Sequence, residues 1–348
     1  MFKKLILCIG TIAMIFELVH GENTHPSYNL PPGQKPVEVE AFFFLNDIDN
    51  INEQDETFEI KGTLELKWKD TRQAFDTIAE GINYKLFQGT YRFLEVYNGW
   101  WPQLVAANSV GNIPLQGVTL KVYHDGTMVL TQEVAATLKS SMNLRNYPFD
   151  RQELKIIIQP LSFLASEVKL VSGTEMMDMP RRHLNIAGWD LINLKAATRI
   201  DIDDKSNHPF SQLVIALDMK RKPGYTTWLV FIPLTFIILL SSSIYWMDAE
   251  SLGNRMDISF IGLLTIVAYQ AMVESGLPKI DYFTLIHGFV YISYLIMAIF
   301  IISNILIDQL NRKKKTELAD KIDRHARWIM PIAYISFNLL SGSYFYFS

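Results

Sequence analysis

The stretch RKPGYTTWLVFIPLTFIILLSSSIYWM, Arg221 to Met247, divides the chain. It opens on Arg221 and Lys222, turns at Pro223-Gly224, and then stays uncharged from Trp228 to Met247. A run of that length predicts a helix able to cross the hydrocarbon core of a bilayer. Upstream the pattern is different. VEVEAFFFL, TFEIKGTLELKWK, VTLKVYHDGTMVLTQEV and RQELKIIIQ alternate apolar and polar residues between turn residues. That period of two predicts short strands of an all-β sandwich. His124-Asp125-Gly126 reads as a hairpin turn between two of them. Glu80 to Gln88 is the one upstream segment expected as a short helix.

Downstream, three more apolar stretches follow the first. The expected spans are about 226–247, 255–275, 282–307 and 326–348. The segment 308–325 between the last two carries Arg312, Lys313, Lys314, Lys315, Lys321 and Arg324, with Arg327 just beyond. Such basic clusters collect on the cytoplasmic side, so this linker is placed inside. Four crossings then put the β domain, residues 22–222, and the C-terminus outside. The N-terminal MFKKLILCIGTIAMIFELVHG, residues 1–21, reads as a secretory signal, which gives the same topology. Cys8, the single cysteine of the 348 residues, lies inside it, so the exported chain is expected to hold no disulfide.

Composition excludes several function classes. The net charge of −4 and the absence of a P-loop or dinucleotide fingerprint give no sign of nucleic acid or nucleotide binding. With no thiol expected in the exported chain, and no G-x-S-x-G elbow or histidine cluster of metal spacing, it does not read as an enzyme and implies no cofactor or metal. A secondary transporter would show repeated halves with broken helices, which this order of segments lacks.

One residue in the membrane half asks for a reason. NRMDISFIGLLTIVAYQAMVESGLP, Asn254 to Pro278, carries Asp257 inside its apolar run. A carboxylate at a lipid-facing helix centre costs about 2.5–3.5 kcal/mol, so it is expected to face protein or water. Steps of four and three from Asp257 reach Ile261, Leu264, Ala268, Ala271 and Ser275 on one helical face. That face starts acidic, becomes bulky and apolar, and ends small and polar.

MNLRNYPFDRQ, Met142 to Gln152, resembles the signature loop of the pentameric ligand-gated ion channels, the Cys-loop receptor superfamily. KWKD (Lys67 to Asp70), WWPQLVAAN (Trp100 to Asn108), RKPGY (Arg221 to Tyr225) and SGLPKIDYFT (Ser275 to Thr284) extend the resemblance in the same order. Ser140 and Leu154 stand where animal members have paired cysteines, and the linker before the last span is short, as in the bacterial branch. The resemblance implies an immunoglobulin-like sandwich of about ten strands, a four-helix membrane bundle, and a homopentamer around a central pore lined by the second span. Asp257, with Glu250 as an outer ring, would then select monovalent cations, as acidic rings do. Neighbouring carboxylates roughly 7 Å apart repel by about 2.4 kcal/mol at an effective dielectric of 20, which favours cations between them. Ile261 and Leu264 would form the apolar gate.

The same resemblance implies roles in the outer half. Tyr147, Pro148, Phe149 and Asp150 would press on the membrane domain, with an Asp150–Arg221 ion pair at the junction, and Pro278, Lys279 and Asp49 would pass movement to the pore. The acidic loop from Asp47 to Glu56 is expected to face Lys279. Trp68 and Asp70 are expected to be structural, and His287 a satisfied bundle residue. Agonists would enter between β domains near Phe44, Gln159, Leu161, Phe163 and Phe210. Val105, Ala107 and Gln159 replace the aromatic and acidic groups used by amine-gated relatives, so the agonist is left open. Protons are the other stimulus considered, through Asp47, Asp49, Glu53, Asp201, Asp203, Asp204, His208 and His287; Ile266 stands where a proton-gated relative has a pore histidine. The alternative to a channel is a membrane-anchored binding or sensor protein that does not conduct.

Overall fold

The computed structural model describes residues 30–33, 35–89, 93–111, 116–173, 186–202, 207–247, 252–275 and 282–347. The expected signal segment 1–21, Asp203, Asp204, Glu250, Pro278 and Lys279 lie outside them.

The alternating segments form ten strands among the described residues: β1 (Val37–Asn52), β2 (Thr57–Lys69), β3 (Tyr84–Gly89), β4 (Leu104–Ala106), β5 (Gln116–Tyr123), β6 (Thr127–Lys139), β7 (Arg151–Pro160), β8 (Val168–Ser172), β9 (Trp189–Ile202) and β10 (Pro209–Arg221). They build a six-stranded sheet, β3-β5-β6-β2-β1-β8, and a four-stranded sheet, β4-β7-β10-β9. The two sheets close on one apolar core. Alternate residues supply it: Val39, Ala41 and Phe43 from β1, and Leu213, Ile215 and Leu217 from β10. Trp68 packs edge-on against Trp100 inside it, and Asp70 is fully buried, holding Arg72 through both carboxylate oxygens.

The hairpin at His124-Asp125-Gly126 is present, with Gly126 at φ 80° and its N–H donating to the Tyr123 carbonyl. Asp125 clasps it: the carboxylate accepts from Lys69 Nζ at 2.6 Å and from Thr127 N at 3.0 Å. These bonds, the one from Lys69 foremost, hold its carboxyl well below the usual aspartate range. The clasp is fully made above an ordinary aspartate pKa and is lost only as pH falls through that depressed value.

The helix expected over Glu80–Gln88 is not there. A single turn, Thr77–Glu80, is capped by the Asp76 side chain and stops at Gly81 in the left-handed region. The chain then turns outward as β3, pairing Tyr84 with Tyr123 and Gly89 with Val118. Cross-strand hydrogen bonds outweigh local propensity there.

Among the described residues the membrane half has four long helices: α1 (Gly224–Trp246), α2 (Leu252–Glu274), α3 (Leu285–Arg312) and α4 (Thr316–Phe347). The first three are long and apolar enough to cross a membrane. The expected linker 308–325 is corrected: α3 runs to Arg312, and Thr316 already starts α4. Ala319, Asp323 and Ala326, spaced four and three apart, are buried while Lys321, Arg324 and His325 are exposed. The basic segment is therefore the polar face of an amphipathic helix rather than a loop. Farther along, the Tyr334 hydroxyl meets Ser293 of α3 at 3.1 Å.

Gly262 sets how closely α1, α2 and α3 approach. A Cβ there would lie 2.5 Å from Ser241 Oγ and 2.6 Å from Met297 Cε. Gly262→Leu is expected to destabilise the bundle by about 1–3 kcal/mol through overpacking, read as a lower Tm of the detergent-purified protein.

Candidate functional site

Three groups of residues make up the site: the exposed stripe of α2, the junction between the halves, and the outer face of the four-stranded sheet. On α2 the buried residues are Arg255, Ser259, Gly262 and Ile266. The stripe from Asp257 through Ile261, Leu264, Ala268, Ala271 and Ser275 is exposed throughout, Ile261 by 63% and Leu264 by 67%. At about 100° per residue the two sets lie on opposite sides of the helix. Only 17% of the most apolar window of α2 is buried, against 33% for α1 and 44% for α3. Within one protomer α2 thus presents its graded stripe away from its own bundle. The charge pattern is directional as well. Arg255, two residues before Asp257 in the chain, is 1% exposed and turned inward, where Asp323 of α4 accepts from its Nη1 at 2.8 Å.

At the junction, the expected ion pair forms. Arg221 Nε donates to Asp150 Oδ1 at 2.7 Å and Nη2 to Oδ2 at 3.3 Å. The backbone doubles the link, with Arg221 N donating to the Asp150 carbonyl at 3.2 Å. Sequence reasoning missed the other partners. Glu53, in the turn after β1, accepts from Arg221 Nη1 at 2.5 Å, and the guanidinium lies over Trp189 at 4.0 Å and Tyr147 at 4.5 Å. Burial alone would lower the Arg221 pKa, but the bonds and charges of Asp150 and Glu53 raise it above its ordinary value. The residue is charged at every physiological pH.

Hydrogen bonds within Met142 to Gln152 hold the shape of this loop. The buried Gln152 side chain accepts from Asn143 N at 2.9 Å and donates to the Asn143 carbonyl at 2.8 Å and to Asp150 Oδ2 at 2.6 Å. Leu154 meanwhile points into the sandwich core. The loop also touches the helices. Tyr147 packs against the bundle core, and its hydroxyl is 3.5 Å from Thr226 Oγ1. The Tyr282 hydroxyl accepts from Leu144 N at 3.0 Å, and Leu285 N donates to the Arg145 carbonyl at 3.2 Å. Pro148 is buried and Phe149 half-buried beside them. Asp49 is placed elsewhere, paired with Lys61 across the β1–β2 hairpin at 2.7 Å. Glu53 is the acid of the Asp47–Glu56 segment that pairs with Arg221, and Glu56 accepts from Met142 N at 3.1 Å. His287 closes a capping box with Thr284 at the start of α3, as a satisfied bundle residue would.

The residues expected around an agonist do not all meet in one protomer. Phe210 and Gln159 lie on the outer face of the four-stranded sheet, opposite its core residues. Gln159 Oε1 accepts from Gln212 Nε2 at 2.8 Å, and Gln212 Oε1 accepts from Arg199 Nε at 3.0 Å. Phe163 packs edge-on against Trp100, and Leu161 is exposed. Phe44, by contrast, sits on the outer face of the six-stranded sheet, paired with Thr63. Gln212 and Arg199, which complete this polar row, carry no local sequence signal; only the register Gln212↔Arg199 brings them together.

Comparison with known proteins agrees with this geometry. The family described as neurotransmitter-gated ion-channel ligand binding domain matches residues 18–223. The chain is 24% identical over 321 residues to a proton-gated ion channel of Gloeobacter violaceus, covering 91% of this chain and 85% of that one. It is 24% identical over 265 residues to a gamma-aminobutyric acid receptor subunit beta of Lymnaea stagnalis, covering 72% and 51%. It is 22% identical over 291 residues to pH-sensitive chloride channel 2 of Drosophila melanogaster, covering 80% and 54%. The match thus spans about half the length of these animal relatives. With its sandwich outside the membrane and apolar helices after it, the chain belongs to the neurotransmitter-gated ion-channel family, the pentameric ligand-gated channels.

Proposed function

We propose that the protein is a cation-selective channel, a homopentamer opened by an extracellular stimulus, with α2 lining the pore and all four long helices crossing the membrane. One observation carries the reading: Asp257 begins an exposed stripe on the face of α2 opposite its buried one. Around a fivefold axis that stripe becomes an inner ring of carboxylates below rings of Ile261 and Leu264. Relatives include chloride channels by name, so the sign of the ring decides selectivity. Arg255 does not supply positive potential to the axis, because it faces the bundle and is neutralised by Asp323. Asp257 remains as the charge on the stripe, and an acidic ring favours cations.

The stimulus is a small polar molecule held where the Gln159–Gln212–Arg199 row and Phe210 of one protomer meet Phe44 of the next. Protons are a second stimulus, supported by the similarity to a proton-gated channel. The alternative, a sensor that does not conduct, gives the exposed stripe no use.

Single-channel recording of the reconstituted protein separates the two. In asymmetric NaCl, Asp257→Asn is expected to lower the cation-to-anion permeability ratio by about tenfold, equivalent to about 1.4 kcal/mol. An unchanged reversal potential removes Asp257 from the pore, and silence of the wild type under all stimuli favours the sensor.

A further inference from the structure

The inner end of the bundle holds a second buried ion pair, far along the chain from the junction pair. Arg255 of α2 donates through Nη1 to Asp323 Oδ1 at 2.8 Å and through Nη2 to Oδ2 at 3.3 Å. Nη2 also donates to the Met247 carbonyl just past the end of α1. Arg327, one turn after Asp323 on α4, stands 4.0 Å from the same carboxylate. Its own hydrogen bonds go to the Tyr245 carbonyl at 3.1 and 2.8 Å. The Tyr245 hydroxyl meets Ser303 of α3 at 2.6 Å, and Ser259 of α2 meets Asn304 of α3 at 3.5 Å. All four helices therefore converge on one polar knot. Asp323 joins α2 to α4 within it.

Helical geometry ties this knot to the stripe. Residues two apart on a helix project about 200° apart, so Arg255 and Asp257 occupy opposite sides of one turn. Whatever fixes the direction of Arg255 fixes that of Asp257. A rotation by one residue, about 100°, would carry the carboxylate off the stripe. Arg255 is fully enclosed, and its guanidinium has a single acidic partner among the described residues. The helix cannot turn without breaking that pair.

We propose that Asp323 is a positioning residue for conduction. Through Arg255 it orients Asp257 toward the pore axis, so that α4, which contributes nothing to the stripe, sets the charge at the pore's inner mouth. This rests on Asp257 lining the pore.

The test uses the full-length protein reconstituted in bilayers, with unitary conductance and reversal potential in asymmetric NaCl as readouts. Arg255→Met combined with Asp323→Leu removes the pair without leaving a buried charge behind. Size-exclusion chromatography should show the oligomer intact. The expected result is a smaller unitary conductance and a reversal potential shifted toward zero, in the same direction as Asp257→Asn. Adding Asp257→Asn to the double variant should give less than the summed shift, since coupled sites are not additive. Asp323→Glu, which keeps the charge, should stay nearer the wild type than the isosteric Asp323→Asn. If the double variant does not assemble, the comparison of Asp323→Asn with Asp323→Glu decides. Wild-type conductance and reversal in the assembled variants, while Asp257→Asn alters both, overturns the positioning role and leaves the pore reading standing. An inert Asp257→Asn overturns both.

Discussion

Arg221→Met is expected to lower the stability of the protein by about 3–5 kcal/mol and to abolish evoked current, because it strands a buried carboxylate. Asp150 is 2% exposed, and among the described residues its Oδ2 keeps only the Gln152 donor at 2.6 Å once the guanidinium is gone. Glu53 loses its contact in the same step. Packing worsens as well, since the guanidinium is held between Trp189 and Tyr147. Function should fail together with stability because Arg221 ends β10, two residues before the Pro223-Gly224 turn into α1. Lys222→Met is the control. Lys222 pairs with Asp190 at 3.0 Å, both about half exposed, and exposed pairs are worth about 0–1 kcal/mol. Removing Asp150 as well, as Leu, should recover part of the stability without restoring current. Thermal unfolding in detergent and whole-cell recording check both parts. Equal Tm shifts for Arg221→Met and Lys222→Met would show that the junction pair bears no special load.

Leu264→Thr is expected to let the channel leak without stimulus. Leu264 is two-thirds exposed in the single protomer, and in the proposed ring five copies line one level of the pore. Keeping one leucine side chain from water is worth about 1.5–3 kcal/mol. Even a fraction of that from each copy exceeds the 1.4 kcal/mol that changes an equilibrium by about tenfold. The resting open probability should therefore rise by at least about tenfold. Val267→Thr, at a half-exposed position beside the stripe, should change it far less. Single-channel records without stimulus decide between them, and equal leak from the two variants would remove Leu264 as the gate.

Much of this was legible in the linear pattern. Strict alternation in β2 made the sandwich readable, because that strand has one face in the core. The period of the Asp257–Ser275 stripe was readable for the matching reason, a helix with one packed face. Misreadings occurred where a segment has no clear inside. β3 is an edge strand whose exposure alternates only weakly, so its residues carry no clear strand signal. The start of α4 is dominated by charge, and its buried face of Ala319, Asp323 and Ala326 is too small and polar to announce a helix.

The candidate site divides in the same way. Asp150 and Arg221 stood out because their motifs resemble those of a known family. Trp189, Gln212 and Arg199 did not, and Glu53 stood out only as a titratable acid and not as a partner of Arg221, since these roles depend on strand register and on contacts between segments remote in the chain.

By itself, then, the sequence determined the two halves, the order of strands and spans, and which face of α2 is graded from acid to apolar. Hydrophobic periodicity is a local property, and one chain suffices to show it. Only the tertiary structure added Glu53 to the expected Asp150–Arg221 pair and set Asp323 against Arg255. A buried charge takes its partner from whatever the fold brings within about 4 Å, and separation along the chain says nothing about that distance.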